Sequence, residues 1–377
     1  MNSAGQRRIL FRCDGDEFVG MGHVVRCLAL AEEFRDVHGC AVMFAVASGP
    51  VGADKIREAG FLVWEKPGDV DEASWMEERL AEERPHALIM DFRTDLPRSA
   101  VRAWKENGIQ VATLDDPSER RLEADLAFYP PVPQVREMDW ADFQGDLYVG
   151  WEWVVLRRQF SRRFHRPRNP VPVILVTMGG SDPKGLTLFA VEALERIRDE
   201  FRAVVLLGPG FTAHEELQRL TCRASHTYEV VENVSEVAAL MARADLAIAS
   251  FGVTAYELAA VGVPSVLLCL TDDHARSAEG LADIGAATTL GRYDLVSSEY
   301  LSGVIDRLLH ELSSPTGTRN RSSRLRPQNG THNISAMILK AIAKDTHINT
   351  KINRTNYSLK TFQPTVQPGT KGTRQRS

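Results

Sequence analysis

The sequence predicts two doubly wound α/β domains in tandem, with a ligand crevice between them. Three observations lead there. Short apolar runs alternate with helical patterns along most of the chain, as in parallel sheets covered on both faces. The alternation stops at one proline-rich, basic stretch and then restarts. At 377 residues the chain is too long for one ordinary core and suits two.

Taken in order, Ile9-Leu10-Phe11 reads as a buried strand and Val24–Phe34 as a helix, with a glycine-bearing loop between them. Strand candidates follow at Ala41–Ala45, Phe61–Trp64, Ala87–Met90, Gln110–Leu114 and Leu126–Phe128. Helix candidates lie near Gly52–Ala59, Glu72–Glu83 and Pro97–Glu106, and Gly60 and Gly108 fall where helices should stop. Tyr129-Pro130-Pro131-Val132-Pro133 cannot be helical. The linker is expected within Phe160–Pro172, which carries three prolines and a basic excess.

The second set of strands is expected at Val173–Thr177, Ala203–Leu207, Tyr228–Val231, Leu246–Ala249, Ser265–Cys269 and Ala287–Leu290. Its helices fit near Leu186–Arg198, Ala213–Cys222, Val237–Ala244, Val253–Val261, Arg276–Ile284 and Ser298–Leu312. Ser313–Gly330 reads as a loop. Thr331–Lys344 reads as a helix with Ile334, Ile338 and Ile342 on one stripe. The organisation expected is a first domain over 1–160, a second over 161–344 and a disordered tail over 345–377.

An apolar fraction of 44% and a charged fraction of 25% are those of a soluble globular protein. The net charge of −5 carries no signature of nucleic-acid or stable membrane association. That charge is uneven. The tail holds six basic residues (Lys351, Arg354, Lys360, Lys371, Arg374, Arg376) against Asp345 alone, so the body is acidic. The five cysteines form no C-x-x-C pair, so buried free thiols in a reducing compartment are expected. With no secretory apolar core after Met1–Arg8 and no run near the roughly 20 apolar residues of a span, a cytoplasmic protein is expected. A monomer or weak homo-oligomer is the expected state.

Three stretches can carry chemistry. In Arg12–His23, a strand runs into Gly20-x-Gly22-His23 and a helix. This arrangement brings backbone N–H groups and a helix N-terminus to an anion. His23, at the helix start, is either a general acid or base or a plain cap. Met178-Gly179-Gly180-Ser181-Asp182 is again a strand, a glycine turn and a helix, and Ser181 and Asp182 make good caps. It is either a capped turn or a loop lining the crevice opposite His23. In Ser250-Phe251-Gly252-Val253-Thr254-Ala255-Tyr256-Glu257, the first helical turn from Gly252, Val253 and Thr254 can hold a diphosphate. Glu257 either closes a T-x-x-E capping box or accepts ribose hydroxyls. Asp272-Asp273-His274 is packed too tightly in sequence for an ordinary metal site, and no metal or cofactor is expected. Sugar hydrogen bonding or a helix cap suits these residues better.

The run R-x-D-x5-G-x-G-H-V-x-R-C-L-x-L-A over Arg12–Ala31 resembles the opening of the pseudaminic-acid pathway UDP-sugar hydrolases and of the spore-coat polysaccharide relatives. Gly179–Pro183 is similar to that family's second-domain opening. Gly252–Ala259 with Gly262-Val263-Pro264 resembles its diphosphate and ribose site, a block shared with the wider GT-B glycosyltransferases. The resemblance covers about residues 8–344. It implies two Rossmann-like domains in a GT-B arrangement and a UDP-linked 2,4-diacetamido-trideoxy hexose as substrate. It implies inverting attack of water at the anomeric carbon, with the family's catalytic histidine at His23. Asp14 is the acidic partner expected to orient the imidazole or touch sugar. Arg12, Gly20 and Gly22 are expected around the substrate, with Gly180, Ser181, Gly252, Val253, Thr254 and Glu257 on the UDP side. Two departures stand near the sugar. Arg93, in Asp91-Phe92-Arg93, replaces the family's tyrosine, and Asp273-His274 replaces its Asn-Gln. They leave open which UDP- or CMP-linked sugar is taken. The alternatives are a glycosyltransferase using a UDP-sugar donor and a non-catalytic nucleotide-sugar-binding protein.

Overall fold

The computed structural model describes residues 6–16, 20–47, 49–166, 169–312 and 329–359, with side chains to residue 344. The first half runs β1 (Arg8–Cys13), α1 (Gly22–Asp36), β2 (Ala41–Val46), α2 (Pro50–Glu58), β3 (Leu62–Glu65), α3 (Glu72–Glu83), β4 (Ala87–Asp91), α4 (Arg98–Glu106), β5 (Gln110–Leu114), β6 (Leu126–Tyr129) and β7 (Asp146–Val149). The second runs β8 (Val173–Thr177), α5 (Leu186–Leu194), β9 (Arg202–Leu206), α6 (His214–Cys222), β10 (Thr227–Val231), α7 (Val237–Ala242), β11 (Leu246–Ser250), α8 (Val253–Val261), β12 (Ser265–Cys269), α9 (Asp272–Asp283), β13 (Ala287–Arg292) and α10 (Ser298–Glu311). A last helix, α11, spans Gly330–Leu359.

Two parallel sheets result. Seven strands take the order β3-β2-β1-β4-β5-β6-β7, and six take β10-β9-β8-β11-β12-β13. The central strands are mostly apolar because helices cover both their faces. β4, β8, β11 and β12 are buried at every position. The order reverses between β1 and β4 in one sheet and between β8 and β11 in the other. At such a reversal the flanking connections run to opposite faces, and a crevice opens beyond the strand carboxyl ends.

Three boundaries differ from the sequence expectation. β7 was not among the expected strands. It is a mostly exposed edge strand, so it lacks an apolar run, and Tyr148 anchors it by stacking on Phe128 with centroids 5.0 Å apart. α9 begins at Asp272 rather than Arg276, because Thr271 caps it by accepting the His274 N–H at 3.1 Å. α11 continues through 345–359, where the sequence suggested disorder; neither Gly nor Pro interrupts 331–359. The rest of the expected tail, 360–377, and most of the expected loop, 313–328, lie outside the described residues.

Residues through Ile338 form one compact unit holding both sheets, and Leu339 onward a second. The sequence boundary groups 330–338 with the second domain, but their hydrogen bonds go elsewhere. Thr331 Oγ1 donates to Leu156 O at 2.8 Å, and Asn333 Nδ2 donates to Glu152 O at 2.9 Å. Cys13, Cys27, Cys40 and Cys269 are buried free thiols, and Cys222 is an exposed one. Among the described residues no helix is long and apolar enough to cross a membrane.

Candidate active site

β1 delivers the chain to the loop before His23. Gly20 takes a left-handed φ of 82° and its N–H donates to Asp16 O at 2.9 Å, closing the loop. The loop is packed from behind by α2: a Cβ at Gly52 would stand 2.5 Å from Gly15 O. Residues 17–19 lie outside the description.

Arg12 and Asp14 do not serve the crevice as expected. Arg12 is fully buried, its guanidinium on Asp14 at 2.8 Å and Glu72 at 2.8 Å, and it lies 4.2 Å over the Phe92 ring. Asp14 is 2% exposed and its Oδ1 also accepts the Ala47 N–H at 2.9 Å. A buried guanidinium without carboxylates would cost several kcal/mol, so these acids are spent on Arg12. Their roles are in the core beneath the loop.

The carboxylate that holds His23 is Asp91, at the end of β4. Asp91 Oδ1 lies 2.7 Å from His23 Nδ1. Arg26, one turn along α1, donates from Nε to Oδ2 at 2.7 Å and from Nη2 to Oδ1 at 2.6 Å. Burial alone would raise the Asp91 pKa, but Arg26 and His23 outweigh it and hold the carboxyl well below the usual range. An ionised Asp91 only accepts, so His23 Nδ1 carries the proton and Nε2 is the basic nitrogen. The β1/β4 reversal explains the meeting: α1 follows one strand and Asp91 ends its neighbour, 68 residues away. Beside this group, Arg93 Nη1 donates to Asp115 O at 2.7 Å and Nη2 to Asp115 Oδ2 at 3.3 Å.

The second sheet supplies α8. Its N-cap is Gly252, with no side-chain cap, so the T-x-x-E capping box does not form. Glu257 is 4% exposed and its Oε1 accepts from Arg157 Nε at 2.9 Å and Nη2 at 2.8 Å. Gly179, with φ of 79°, passes over this turn; a Cβ there would lie 3.9 Å from both Ser250 Oγ and Thr254 Oγ1. Gly180 and Ser181 turn away. Gly180 O accepts the Gly210 N–H at 2.8 Å, and Ser181 lines a separate depression with Phe211. Asp182 is a cap, accepting the Leu186 and Thr187 N–H groups at 2.8 Å each.

The two halves meet around a cleft of about 500 Å³. Gly22, His23, Arg26 and Arg93 line it from the first sheet, and Gly252, Val253, Asp273 and His274 from the second. The starts of α1 and α8 nearly touch: a Cβ at Gly22 would lie 4.0 Å from Val253 Cγ2. Two helix N-termini thus converge on one space, with no acidic side chain in either first turn. Asp273 is occupied by the other half, its Oδ1 and O accepting Gln134 Nε2 at 2.9 and 3.0 Å. His274 is half-buried, and burial lowers its imidazole pKa.

No family model matches the chain. The spore coat polysaccharide biosynthesis protein SpsG of Bacillus subtilis (strain 168) is 25% identical over 301 residues, which cover 78% of this chain and 87% of that one. The UDP-2,4-diacetamido-2,4,6-trideoxy-beta-L-altropyranose hydrolase of Campylobacter jejuni subsp. jejuni serotype O:2 is 22% identical over 194 residues, 51% of this chain and 67% of that one. The crystal structure of Acinetobacter baumannii MurG matches with a TM-score of 0.68 at 19% identity, covering 89% of this chain and 99% of that one. The chain has the GT-B fold. The resemblance read from the Arg12–Ala31 motif is supported, since a spore-coat protein and a UDP-sugar hydrolase are both among its relatives.

The histidine in G-x-G-H thus lines the cleft of this GT-B chain together with the α8 turn. Sequence reasoning missed Asp91 and Arg26 as its partners, although both lay in quoted motifs. The usable signal was an acid ending a strand next to β1 at a sheet reversal.

Proposed function

We propose that this chain is a sugar-nucleotide hydrolase of polysaccharide biosynthesis. It cleaves a UDP-linked 2,4-diacetamido-trideoxy hexose at the anomeric C–O bond with inversion. The observation that carries this reading is His23, held at Nδ1 by ionised Asp91 in a cleft that the α8 N-terminus also lines. Nε2 takes a proton from water as the water oxygen bonds to the anomeric carbon. The bond from that carbon to the diphosphate oxygen breaks, and UDP leaves with the electron pair. A diphosphate is a stable anion, so N–H groups and the helix dipole at Gly252–Thr254 suffice to neutralise its growing charge. The hydrolase relative's name suggests the sugar class.

The test is NMR of the protein with UDP-2,4-diacetamido-2,4,6-trideoxy-altrose and no acceptor. Release of UDP and free sugar of inverted anomeric configuration supports the hydrolase. An intact substrate that is consumed only when a hydroxylic acceptor is added overturns it in favour of a transferase. One observation favours that second reading: Phe128, Tyr129, Val135, Met138 and Trp153 give the cleft an apolar wall suited to an acceptor.

Glu257 is the ribose-binding carboxylate in this reading, and Arg157 must yield one or both of its bonds when nucleotide enters. Glu257→Gln is therefore expected to weaken UDP about tenfold or more, the scale of a lost charged hydrogen bond. Calorimetry showing wild-type UDP affinity in that variant would leave Glu257 only its structural pair with Arg157.

A further inference from the structure

Away from the cleft, three metal-ligating side chains meet where the end of the chain returns to its beginning. Glu33 lies in the last turn of α1, His38 in the turn after it, and His332 in the first turn of α11. His332 Nδ1 is 2.9 Å from Glu33 Oε1, across 299 residues of sequence. The His38 and His332 rings stack with centroids 5.9 Å apart and planes 24° from parallel. One ligand atom from each of the three residues falls within 4.8 Å of the others.

We propose that Glu33, His38 and His332 bind one zinc-class divalent cation, which ties the start of α11 to the end of α1. Two imidazoles and one carboxylate are the donor set that selects zinc, cobalt or nickel over magnesium or calcium. Tetrahedral bonds of about 2.0–2.1 Å bring donors to about 3.4 Å apart, so small side-chain rotations close the present spacing. The backbone under the donors is already fixed, since Thr331 and Asn333 anchor the α11 start. His38 is oriented by a second group: fully buried Ser335 holds its Nε2 at 3.0 Å through Oγ. His332 is half-exposed, with 48% of its side chain open, which leaves room for water as a fourth ligand. The other comparable group among the described residues, Asp199, Asp306 and His310, offers one imidazole on an open surface. It serves as the control.

The experiment titrates Co²⁺, then Zn²⁺, into the full chain stripped with chelator. Visible d–d absorption, calorimetric stoichiometry and the unfolding temperature are followed. About one equivalent is expected to bind with a four-coordinate spectrum and to raise the unfolding temperature. His332→Ala and His38→Ala are each expected to lose the spectrum and the thermal shift, while His310→Ala keeps both. His332 is exposed enough that its replacement leaves the fold intact, and Glu33→Gln provides a second, isosteric check. Binding unchanged in both histidine variants, binding lost in His310→Ala, or no binding at ~100 μM Zn²⁺ would each overturn the assignment.

Discussion

His23→Ala is expected to lower turnover about 10³-fold while leaving UDP affinity within about twofold. General-base catalysis contributes roughly 10²–10⁴. In the proposed reading the nucleotide lies at Gly252–Thr254, so its binding does not depend on the imidazole. Folding should not confuse the result. Asp91 loses one partner but keeps both Arg26 bonds, at 2.6 and 2.7 Å, so the stability cost stays near 1 kcal/mol. The check is single-turnover release of UDP beside calorimetric UDP binding in the same variant. Turnover within tenfold of wild type would remove His23 from the chemistry. Water would then have to be activated by another cleft group, with His274 the first to examine.

The architecture was legible because both sheets are parallel and doubly covered. Each central strand had to be an apolar run, and each helix had to fit between two of them. What failed was what such patterns do not encode. β7 is an exposed edge strand, so its contribution lies in one aromatic stack rather than in periodicity. The α9 start depends on the Thr271 hydroxyl, which caps the helix one turn before the Arg276 that periodicity suggested. The site was legible as far as backbone motif determines it. His23 and the α8 turn both line the cleft. The pairing of charges was not legible. Arg12, Asp14, Glu72, Asp91 and Arg26 compete as partners, and strand order decides among them. β1 turns Arg12 and Asp14 into the core beside Glu72, while β4 ends with Asp91 under the start of α1. Asp14, the acid expected from the same motif, pairs with Arg12 instead.

Asp91→Asn carries the second large effect, and its geometry explains why an isosteric change is so costly. Three donors converge on two oxygens: His23 Nδ1 and Arg26 Nη2 on Oδ1, and Arg26 Nε on Oδ2. An amide offers one oxygen and one NH₂. If the NH₂ faces Arg26 Nε, two donors collide. If it faces His23, the imidazole must become an acceptor at Nδ1, which places its proton on Nε2 and abolishes the base. Turnover is expected to fall about 10²–10⁴-fold with KM nearly unchanged, the scale seen when a histidine is locked in the wrong tautomer. Stability is expected to fall by about 2–3 kcal/mol, because the partly buried Arg26 loses its main charge partner and keeps only Asp115 Oδ2 at 3.5 Å. The pH dependence separates this from a packing defect. Asp91 is held below its unfolded value of about 3.9, so its contribution is complete above about pH 5 and is lost as pH falls through the folded pKa. Urea unfolding should therefore show a constant wild-type advantage over Asp91→Asn from about pH 5 to 8, shrinking in acid. A gap independent of pH down to the acid transition would mean that the carboxylate acts by shape alone. Arg26→Lys supplies the complementary arm. A point charge can satisfy Asp91 without the two-pronged geometry, so that variant is expected to retain most of the stability while His23, less firmly oriented, loses part of its rate.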